Sequence, residues 1–253
     1  MRTERPDRIY RFDAVTDSTS VRLRNDVLRA EGAFYAVYAA DRQTAGRGRA
    51  GRAFFSPEGG IYFSASFPFE RSEPGLPWIT LLAGLCAAEA LSPWLGDNAR
   101  VKWPNDLMVG DKKICGVLAQ TVWRGDRPTV VLGVGVNTAL SSSQLPEELA
   151  GLVTSFAMEG LALPDREAVI RRTVSFLDRE IYENGALSGD LPGFVPKIRE
   201  KDWLFGRRVA RKLANGETLV GTAAGISDAG GLLLDTGTGK PVEITYGEVT
   251  PAL

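Results

Sequence analysis

The 253-residue chain contains no histidine. Histidine is the commonest general base and metal-ligating side chain in proteins, so its absence excludes a Ser-His-Asp triad and any histidine-held metal. Chemistry in this protein must therefore depend on Lys, Arg, Asp, Glu, Tyr, Ser, Thr or Cys side chains, or on a metal held by oxygen ligands.

Cysteines and long apolar runs are also scarce. Cys86 and Cys115 are the only cysteines and lie far apart, which argues against a disulfide framework and a zinc site. The N-terminal MRTERPDRIYRF lacks the apolar stretch of a signal peptide, and no window has 18 consecutive apolar residues. We therefore expect a cytoplasmic protein that does not span a membrane.

A large net charge is absent as well. The chain has 30 Lys and Arg against 31 Asp and Glu, for a formal charge of -1, which disfavours a globally basic nucleic-acid binder. Positive charge is instead local, because the segment from Arg42 to Pro57 contains four arginines and no acidic residue. Hydrophobic residues make up 44% of the chain, enough for a well-buried core.

Hydrophobic periodicity predicts an α+β domain with a largely antiparallel or mixed sheet. The link NDLMVGDKK, which contains Gly110-Asp111, is typical of a hairpin turn. The pattern predicts helices over 17–32, 78–95 and 165–182, and strands over 35–41, 61–67, 101–103, 113–123 and 129–137.

The composition changes near residue 204. After it come four short strand-like runs, RRVARKL, ETLVGTAAGIS, GLLLDTG and PVEITYGEVTP, separated by glycine-containing turns. Turn signals at such close spacing are typical of a small β barrel. We predict two domains, residues 1–203 and residues 204–253.

The stretch TAGRGRAGRAFFSPEGG, residues 44–60, spaces arginines with glycines. Guanidinium groups bind phosphate through paired hydrogen bonds, and glycine allows a backbone to approach a ligand closely. A solvated loop or an RNA-binding segment has the same composition. A Walker A loop is excluded because no Gly-Lys-Ser/Thr follows the glycines. Composition alone leaves the phosphate and RNA interpretations open.

Two further segments carry candidate residues. VKWPNDLMVGDKKICGVLAQ, residues 101–120, places several lysines near Cys115-Gly116 and could contact a carboxylate or phosphate, although Pro-Asn-Asp is also an ordinary turn. GVGVN, residues 133–137, is a strand-like run whose glycines are typical of close approach by another group. It lacks the GxGxxG spacing of a dinucleotide fold.

Four motifs occur in order along the chain: AADRQTAGRGRAGRAFFSPEGGIYFS, KWPND, KKICGVLAQ and GVGVN. A DST element lies upstream of them, and a small β domain follows at the end. Together these features closely resemble biotin protein ligase, also called biotin–[acetyl-CoA-carboxylase] ligase. The resemblance covers nearly the whole chain. It implies a catalytic domain like that of class II aminoacyl-tRNA synthetases, followed by an SH3-like domain. The chain starts a few residues before its first strand, so we expect the enzyme-only form, without the DNA-binding domain of some members.

The resemblance implies a two-step reaction that uses ATP and Mg²⁺. Biotin and ATP form biotinyl-5′-AMP, and the biotinyl group then passes to one lysine of a biotin carboxyl carrier protein domain. The expected partner is therefore the carrier of acetyl-CoA carboxylase or a similar carboxylase, with no DNA or membrane partner. A homodimer is compatible with the sequence. No dedicated metal ligands are expected, because phosphates supply most of the oxygens around such a Mg²⁺.

Site residues are likewise implied by the resemblance. Those expected to be catalytic are Lys113, placed between the biotin carboxylate and the α-phosphate, with Arg47, Arg49 and Asp106. Those expected to bind biotin are Ser18, Thr19, Gln43, Gly46, Arg47, Lys113, Gly116 and Gly133. Those expected to bind ATP or the adenylate are Arg47, Arg49, Arg52, Phe54, Lys102, Asn105 and Asn137.

Two positions depart from the family pattern, which often has tryptophan where this chain has Phe54 and usually has asparagine where it has Ser20. We expect residues 45–54, here called the arginine loop, to be mobile without ligand and ordered with biotin and ATP. The alternative within the same fold is a lipoate ligase or octanoyl transferase. Cys115 is the only candidate nucleophile for such a transferase, and we interpret it as a small packing residue.

Overall fold

The structure is a computed structural model that describes residues 7–252, apart from 30–34, 71, 73–77, 189–192 and 214–215. A seven-stranded sheet forms its centre, with the strand order β1-β2-β3-β7-β6-β5-β4. The strands are β1 (Ile9–Thr16), β2 (Ala36–Gln43), β3 (Gly60–Pro68), β4 (Ala99–Lys102), β5 (Asp106–Val109), β6 (Lys112–Arg124) and β7 (Arg127–Asn137).

This central sheet is mixed, as predicted. β1 and β2 run parallel, whereas all the other neighbouring strands run antiparallel. The described helices are α1 (Thr19–Arg29), α2 (Ile79–Leu95), α3 (Arg166–Asp178) and α4 (Val195–Glu200).

Helix α2 lies in the main hydrophobic core between the sheet and α3. Leu82 and Leu91 are fully buried there, and Phe67 and Leu132 reach the same core from the sheet. The stretch Ile79–Asn98 is long and apolar enough to cross a membrane by length and composition, but 67% of its most apolar window is buried inside the protein. Packing in the core accounts for its apolar character.

Several predicted boundaries need correction. The resemblance implied a strand close to the start of the chain, but the hydrophobic pattern did not assign β1, because its residues are mostly exposed and show no inward-facing alternation. The link predicted as a simple turn contains β5, which is only four residues long. Helix α3 ends at Asp178 and continues as a π-helical turn, Arg179–Glu183, within the predicted helix. Helix α4 was also not predicted, and the predicted end of α1 at Gly32 lies outside the described residues.

The C-terminal strands form a second, antiparallel sheet with the order β11-β10-β9-β8-β12. Its architecture is SH3-like, which agrees with the predicted small β domain. One predicted strand is in fact two, because a turn that contains Gly247, at a φ of 95°, divides the run from Pro241 to Pro251. The strands are β8 (Arg208–Lys212), β9 (Thr218–Ile226), β10 (Leu232–Asp235), β11 (Val242–Ile244) and β12 (Thr250–Pro251).

Backbone pairing ties the segment between α4 and β8 to the central sheet. Val101 of β4 donates its N–H to the Lys201 carbonyl at 2.8 Å and accepts from the Trp203 N–H at 2.9 Å. The Trp103 indole N–H donates to the Gly230 carbonyl in the C-terminal sheet at 2.9 Å. These hydrogen bonds hold the C-terminal sheet beside the turn that joins β4 to β5.

Asp202 lies in this connecting segment and is largely buried. Its Oδ1 accepts from the Leu204 N–H at 2.9 Å, whereas its Oδ2 is buried without a hydrogen-bond partner among the described residues. Burial raises the pKa of the Asp202 carboxyl to about 6, against the opposing effect of backbone hydrogen bonds from Leu204 and Phe205.

Replacing Asp202 with Asn should stabilise the fold at pH 8 by ~1 kcal/mol, because it removes a buried charge and keeps the Oδ1 acceptor. The folded state binds the Asp202 proton below about pH 6, while the unfolded chain binds it only near 3.8. The free energy of unfolding of the wild type should therefore rise, relative to that of Asp202→Asn, as the pH falls from 7 to 5.

Chemical denaturation at pH 8, 6.5 and 5 measures this difference. Asp97→Asn, at an almost fully exposed carboxylate, is the matched control and should differ from the wild type by the same amount at all three pH values. A less stable Asp202→Asn protein at pH 8 would contradict the account.

Candidate active site

A cavity of about 440 Å³ opens between the central sheet, the arginine loop and the C-terminal sheet. Its floor is formed by the adjacent antiparallel strands β6 and β7, where Gly116 pairs with Gly135. The predicted site residues that line it are Thr19, Gln43, Arg47, Arg49, Arg52, Phe54, Lys102, Asn105, Asp106, Lys113, Gly116, Gly133 and Asn137.

The arginine loop folds back on itself over one side of this cavity. Arg47 and Ala53 form an isolated antiparallel bridge, and the Gly48 N–H donates to the Arg52 carbonyl at 2.8 Å. The residue between the two halves, Ala50, has a φ of 53°, a left-handed conformation that few non-glycine residues adopt. The loop is thus a tight turn whose arginines reach the same space.

Phe54 leaves the arginine loop and lies on the glycine floor. A methyl group on Gly135 would come within 2.4 Å of the Phe54 ring, and one on Gly116 would come within 3.0 Å. The ring also meets Tyr62 edge-on, with centroids 6.4 Å apart. Both glycines are therefore needed for an aromatic ring to approach the strands this closely.

Lys113 is placed by backbone pairing with the segment around Val153. Its N–H donates to the Leu152 carbonyl at 2.9 Å, and its carbonyl accepts from the Thr154 N–H at 2.8 Å. Its Nζ lies 2.6 Å from Oδ1 of Asp106 and 5.5 Å from the centroid of the Phe54 ring. The ammonium group thus projects into the cavity beside one carboxylate.

Two more cations complete the positive side of the cavity. Burial lowers the pKa of the Lys102 ammonium, and nearby Asp106 opposes that shift. Burial also lowers the pKa of the Arg49 guanidinium, again against the effect of Asp106. Partly desolvated cations interact more strongly with an anionic ligand than exposed ones do, because less water screens them.

Asn105 contacts Arg49 and forms hydrogen bonds with strand β6. Its side-chain Nδ2 donates to the Val117 carbonyl at 2.7 Å, while its own carbonyl accepts from the Val117 N–H at 2.9 Å. Arg49 Nη1 lies 3.4 Å from the Asn105 Oδ1. The KWPND segment therefore holds Lys102, Asn105 and Asp106 at the edge of β6.

The opposite end of the cavity is polar but carries no charge. Thr19 donates its N–H to Gln43 Oε1 at 2.9 Å, and its hydroxyl lies 2.8 Å from the Ser64 hydroxyl. A methyl group on Gly133 would lie 3.4 Å from the Ser64 hydroxyl and 3.5 Å from that of Ser20. This group of donors and acceptors suits a neutral polar ligand group.

Two predicted biotin contacts do not line the cavity. Ser18 is buried, with its hydroxyl 3.2 Å from that of Ser20. A methyl group on Gly46 would come within 2.4 Å of the Phe54 carbonyl and 2.6 Å of the Ser56 hydroxyl. The loop's own close packing therefore accounts for Gly46 without a ligand.

Sequence reasoning missed two groups of lining residues. The first is apolar and follows β7; its members are Leu140, Leu145, Leu149, Leu152 and Val153. The second comes from the C-terminal domain and the segment before it; its members are Trp203, Glu248, Val249, Thr250 and Pro251. The repeated leucines of the first segment were a weak signal in the sequence, whereas nothing in the C-terminal run indicated that it lines the cavity.

The described residues contain no cluster of three Asp, Glu or Cys side chains that could hold a metal ion. Carboxylates that line the cavity are separate: Asp106 pairs with Lys113, Asp111 pairs with Arg207, and Glu248 pairs with Arg52. This donor set fits a cation that ligand phosphates would hold for the most part. It does not fit a self-contained metal site.

Cys115 has no access to the cavity. It is completely buried, and burial raises the pKa of its thiol to about 12. A thiol of that kind is not a nucleophile at neutral pH, so the interpretation of Cys115 as a packing residue is confirmed.

Comparisons with known proteins agree with this geometry. A model of the biotin/lipoate A/B protein ligase family matches residues 12–137, and a model of the biotin protein ligase C-terminal domain matches residues 204–250. The solved biotin protein ligase from Aquifex aeolicus, in complex with biotin and ATP, superposes with a TM-score of 0.73 at 29% identity, over 96% of this chain and 97% of that one.

Sequence relatives give the same result. The bifunctional ligase/repressor BirA of Bacillus spizizenii is 33% identical over 203 residues, which is 79% of this chain but only 61% of that protein. The biotin–[acetyl-CoA-carboxylase] ligase of Mycobacterium tuberculosis is 33% identical over 218 residues, 84% of this chain and 77% of that one. With both domain models matched in order and this degree of identity, the chain belongs to the biotin/lipoate A/B protein ligase family and, within it, to the biotin protein ligases.

Proposed function

We propose that this protein activates biotin with ATP, as biotinyl-5′-AMP, and transfers the biotinyl group to a lysine of a biotin carboxyl carrier domain. The observation that carries the proposal is that one cavity joins a neutral polar end, at Thr19 and Gln43, to a cluster of cations around Lys113. Such a cavity suits a ligand with a neutral polar head and an anionic tail. Cytoplasmic location and a division of the chain after residue 203 are part of the proposal.

In the first step a biotin carboxylate oxygen attacks the α-phosphorus of ATP, and the bond to the β-phosphate breaks to release pyrophosphate. Both reactants are anions, so fixed positive charge must offset their repulsion. Lys113, near the start of β6, would contact both the carboxylate and the α-phosphate. Arg47, Arg49, Arg52 and Lys102 would hold the phosphates, and bound Mg²⁺ would neutralise further phosphate charge.

In the second step the carrier lysine nitrogen attacks the carbonyl carbon of the mixed anhydride, and AMP leaves with the electron pair of the broken C–O bond. The amine must lose a proton, and Asp106 would accept that proton or orient the amine. No histidine is needed, because biotin enters the first step already ionised.

The proposal is tested by incubating the protein with ATP, Mg²⁺, an apo biotin carboxyl carrier domain, and either biotin or lipoate. Mass spectrometry of the carrier should show a biotinyl adduct on one lysine and much less modification with lipoate. An unmodified carrier with biotin, or a preference for lipoate, would overturn the proposal in favour of the lipoate branch of the family.

Lys113→Gln should slow biotin-dependent pyrophosphate release by ~10²–10³-fold, because it removes positive charge at the reacting atoms. The neighbouring Lys112 is exposed and does not line the cavity, which makes Lys112→Gln the matched control. Single-turnover pyrophosphate release measures both variants. Equal rates for the two would show that Lys113 does not act on the chemical step.

Gly135→Ala and Gly133→Ala should separate the two ends of the cavity. The methyl group of the first variant would displace Phe54 and raise the KM for ATP by about tenfold, since displacing a packed ring costs on the order of 1–3 kcal/mol. That of the second would lie at contact distance from Ser20 and Ser64, occupy space at the polar end of the cavity, and raise chiefly the KM for biotin. Steady-state kinetics with each substrate varied tests this split, which the reverse pattern would contradict.

Asp106→Asn should slow transfer from preformed biotinyl-5′-AMP to the carrier by ~10²-fold or more, within the range expected for loss of a general base. Adenylate formation should fall less, because Lys113 keeps its charge when its partner is neutralised. Measuring the two half-reactions separately tests the assignment. Transfer at the wild-type rate would exclude a role for Asp106 in that step.

A further inference from the structure

The C-terminal domain contacts the arginine loop through two consecutive residues. The Glu248 carboxylate forms an ion pair with the Arg52 guanidinium, and the Gly247 carbonyl accepts from Arg49 Nη1 at 3.2 Å. We propose that Glu248 is a positioning residue that holds the arginine loop closed over the adenylate and so keeps water away from it. This inference rests on the proposed function.

Holding Arg52 restrains the whole loop, because the loop is internally bonded. Arg52 Nε lies 3.4 Å from the Arg49 carbonyl, and the Arg52 carbonyl accepts from the Gly48 N–H. Two residues beyond Arg52, the Phe54 N–H donates to the Gly46 carbonyl at 2.9 Å. Restraining Arg52 therefore also restrains Phe54, whose ring lies on the glycine floor.

Glu248 sits on a fixed support. The next residue, Val249, is buried, and the C-terminal sheet is tied to the catalytic domain through the Trp103–Gly230 hydrogen bond. Arg199 of α4 adds hydrogen bonds to the Ile226 carbonyl at 2.8 and 3.0 Å. Glu248, which pairs with the arginine loop of the catalytic domain, is therefore held in place by contacts between the C-terminal sheet and that same domain.

The ion pair is better explained as a conformational restraint than as a source of fold stability. Both side chains are substantially exposed, 59% for Arg52 and 42% for Glu248, and pairs of this kind add little to the free energy of unfolding. A bias of only a few-fold between closed and open loop is nevertheless enough to change how often water reaches the site.

Opening of the loop before the carrier arrives has a definite chemical cost. A water oxygen attacks the carbonyl carbon of the mixed anhydride, the C–O bond to the phosphate breaks, and AMP leaves with the electron pair while a proton is released. Biotin and AMP are the products, so ATP is consumed without biotinylation. Glu248 would suppress this loss by favouring the closed loop.

Glu248→Gln is the test variant, because it keeps the shape of the side chain and removes its charge. The matched control is Asp228→Asn, which removes the Arg199–Asp228 ion pair between α4 and the C-terminal sheet, away from the cavity. Each protein is mixed with biotin, Mg²⁺ and saturating ATP without carrier. The first-turnover burst of pyrophosphate reports adenylate formation, and the later steady release of AMP reports its loss.

Glu248→Gln should release AMP about two- to fivefold faster than the wild type, the effect expected for an exposed ion pair. Its pyrophosphate burst and melting temperature should match those of Asp228→Asn, and the control should release AMP at the wild-type rate. Equal AMP release by Glu248→Gln and the wild type would overturn the inference. So would faster release by both variants, since that would reflect domain docking in general. Absence of a burst in the wild type would instead reject the proposed function.

Discussion

In the proposed reaction two anions repel each other, and the need to offset that repulsion accounts for the arrangement of this site. A carboxylate can approach a triphosphate only where fixed positive charge is already in place. The chain supplies this charge from separate segments: the arginine loop, the KWPND turn and the start of β6. The sheet brings them together by pairing β6 with β5 on one side and with β7 on the other.

Oxygen atoms of the protein lie against three of these cations. Asp106 lies against Lys113 at 2.6 Å, Glu248 pairs with Arg52, and Arg49 is bonded to the Gly247 carbonyl. In the proposed reaction, ligand oxygens would replace Asp106 beside Lys113, while Glu248 would keep its pairing with Arg52. Ligand binding at Lys113 in the proposed reaction would thus exchange one anionic partner for another.

Small residues provide the second physical constraint. Gly116 and Gly135 let the Phe54 ring lie directly on the backbone of β6 and β7, where any side chain would collide with it. The sequence signalled this through glycines within strand-like runs. Compared with the tryptophan that the family often has here, Phe54 keeps an aromatic face but lacks the indole N–H donor.

Strongly patterned segments were predictable from the sequence, and weakly patterned ones were not. Helix α2 and strand β3 show clear periodicity and were predicted within one or two residues, whereas exposed β1 and short β5 carry too little pattern. At the site, the glycine-arginine and KWPND motifs identified residues of the cavity wall. The contribution of Glu248 could not be predicted, because it arises from docking of a separate domain and no local pattern records such a contact.

Biotin-dependent exchange of labelled pyrophosphate into ATP tests the central claim most directly, because it requires reversible formation of a biotinyl–AMP bond and needs no carrier. The account predicts rapid exchange with biotin and Mg²⁺, little exchange with lipoate, and loss of exchange when Lys113 is neutralised. Exchange that proceeds without biotin, or that is faster with lipoate, would contradict the account.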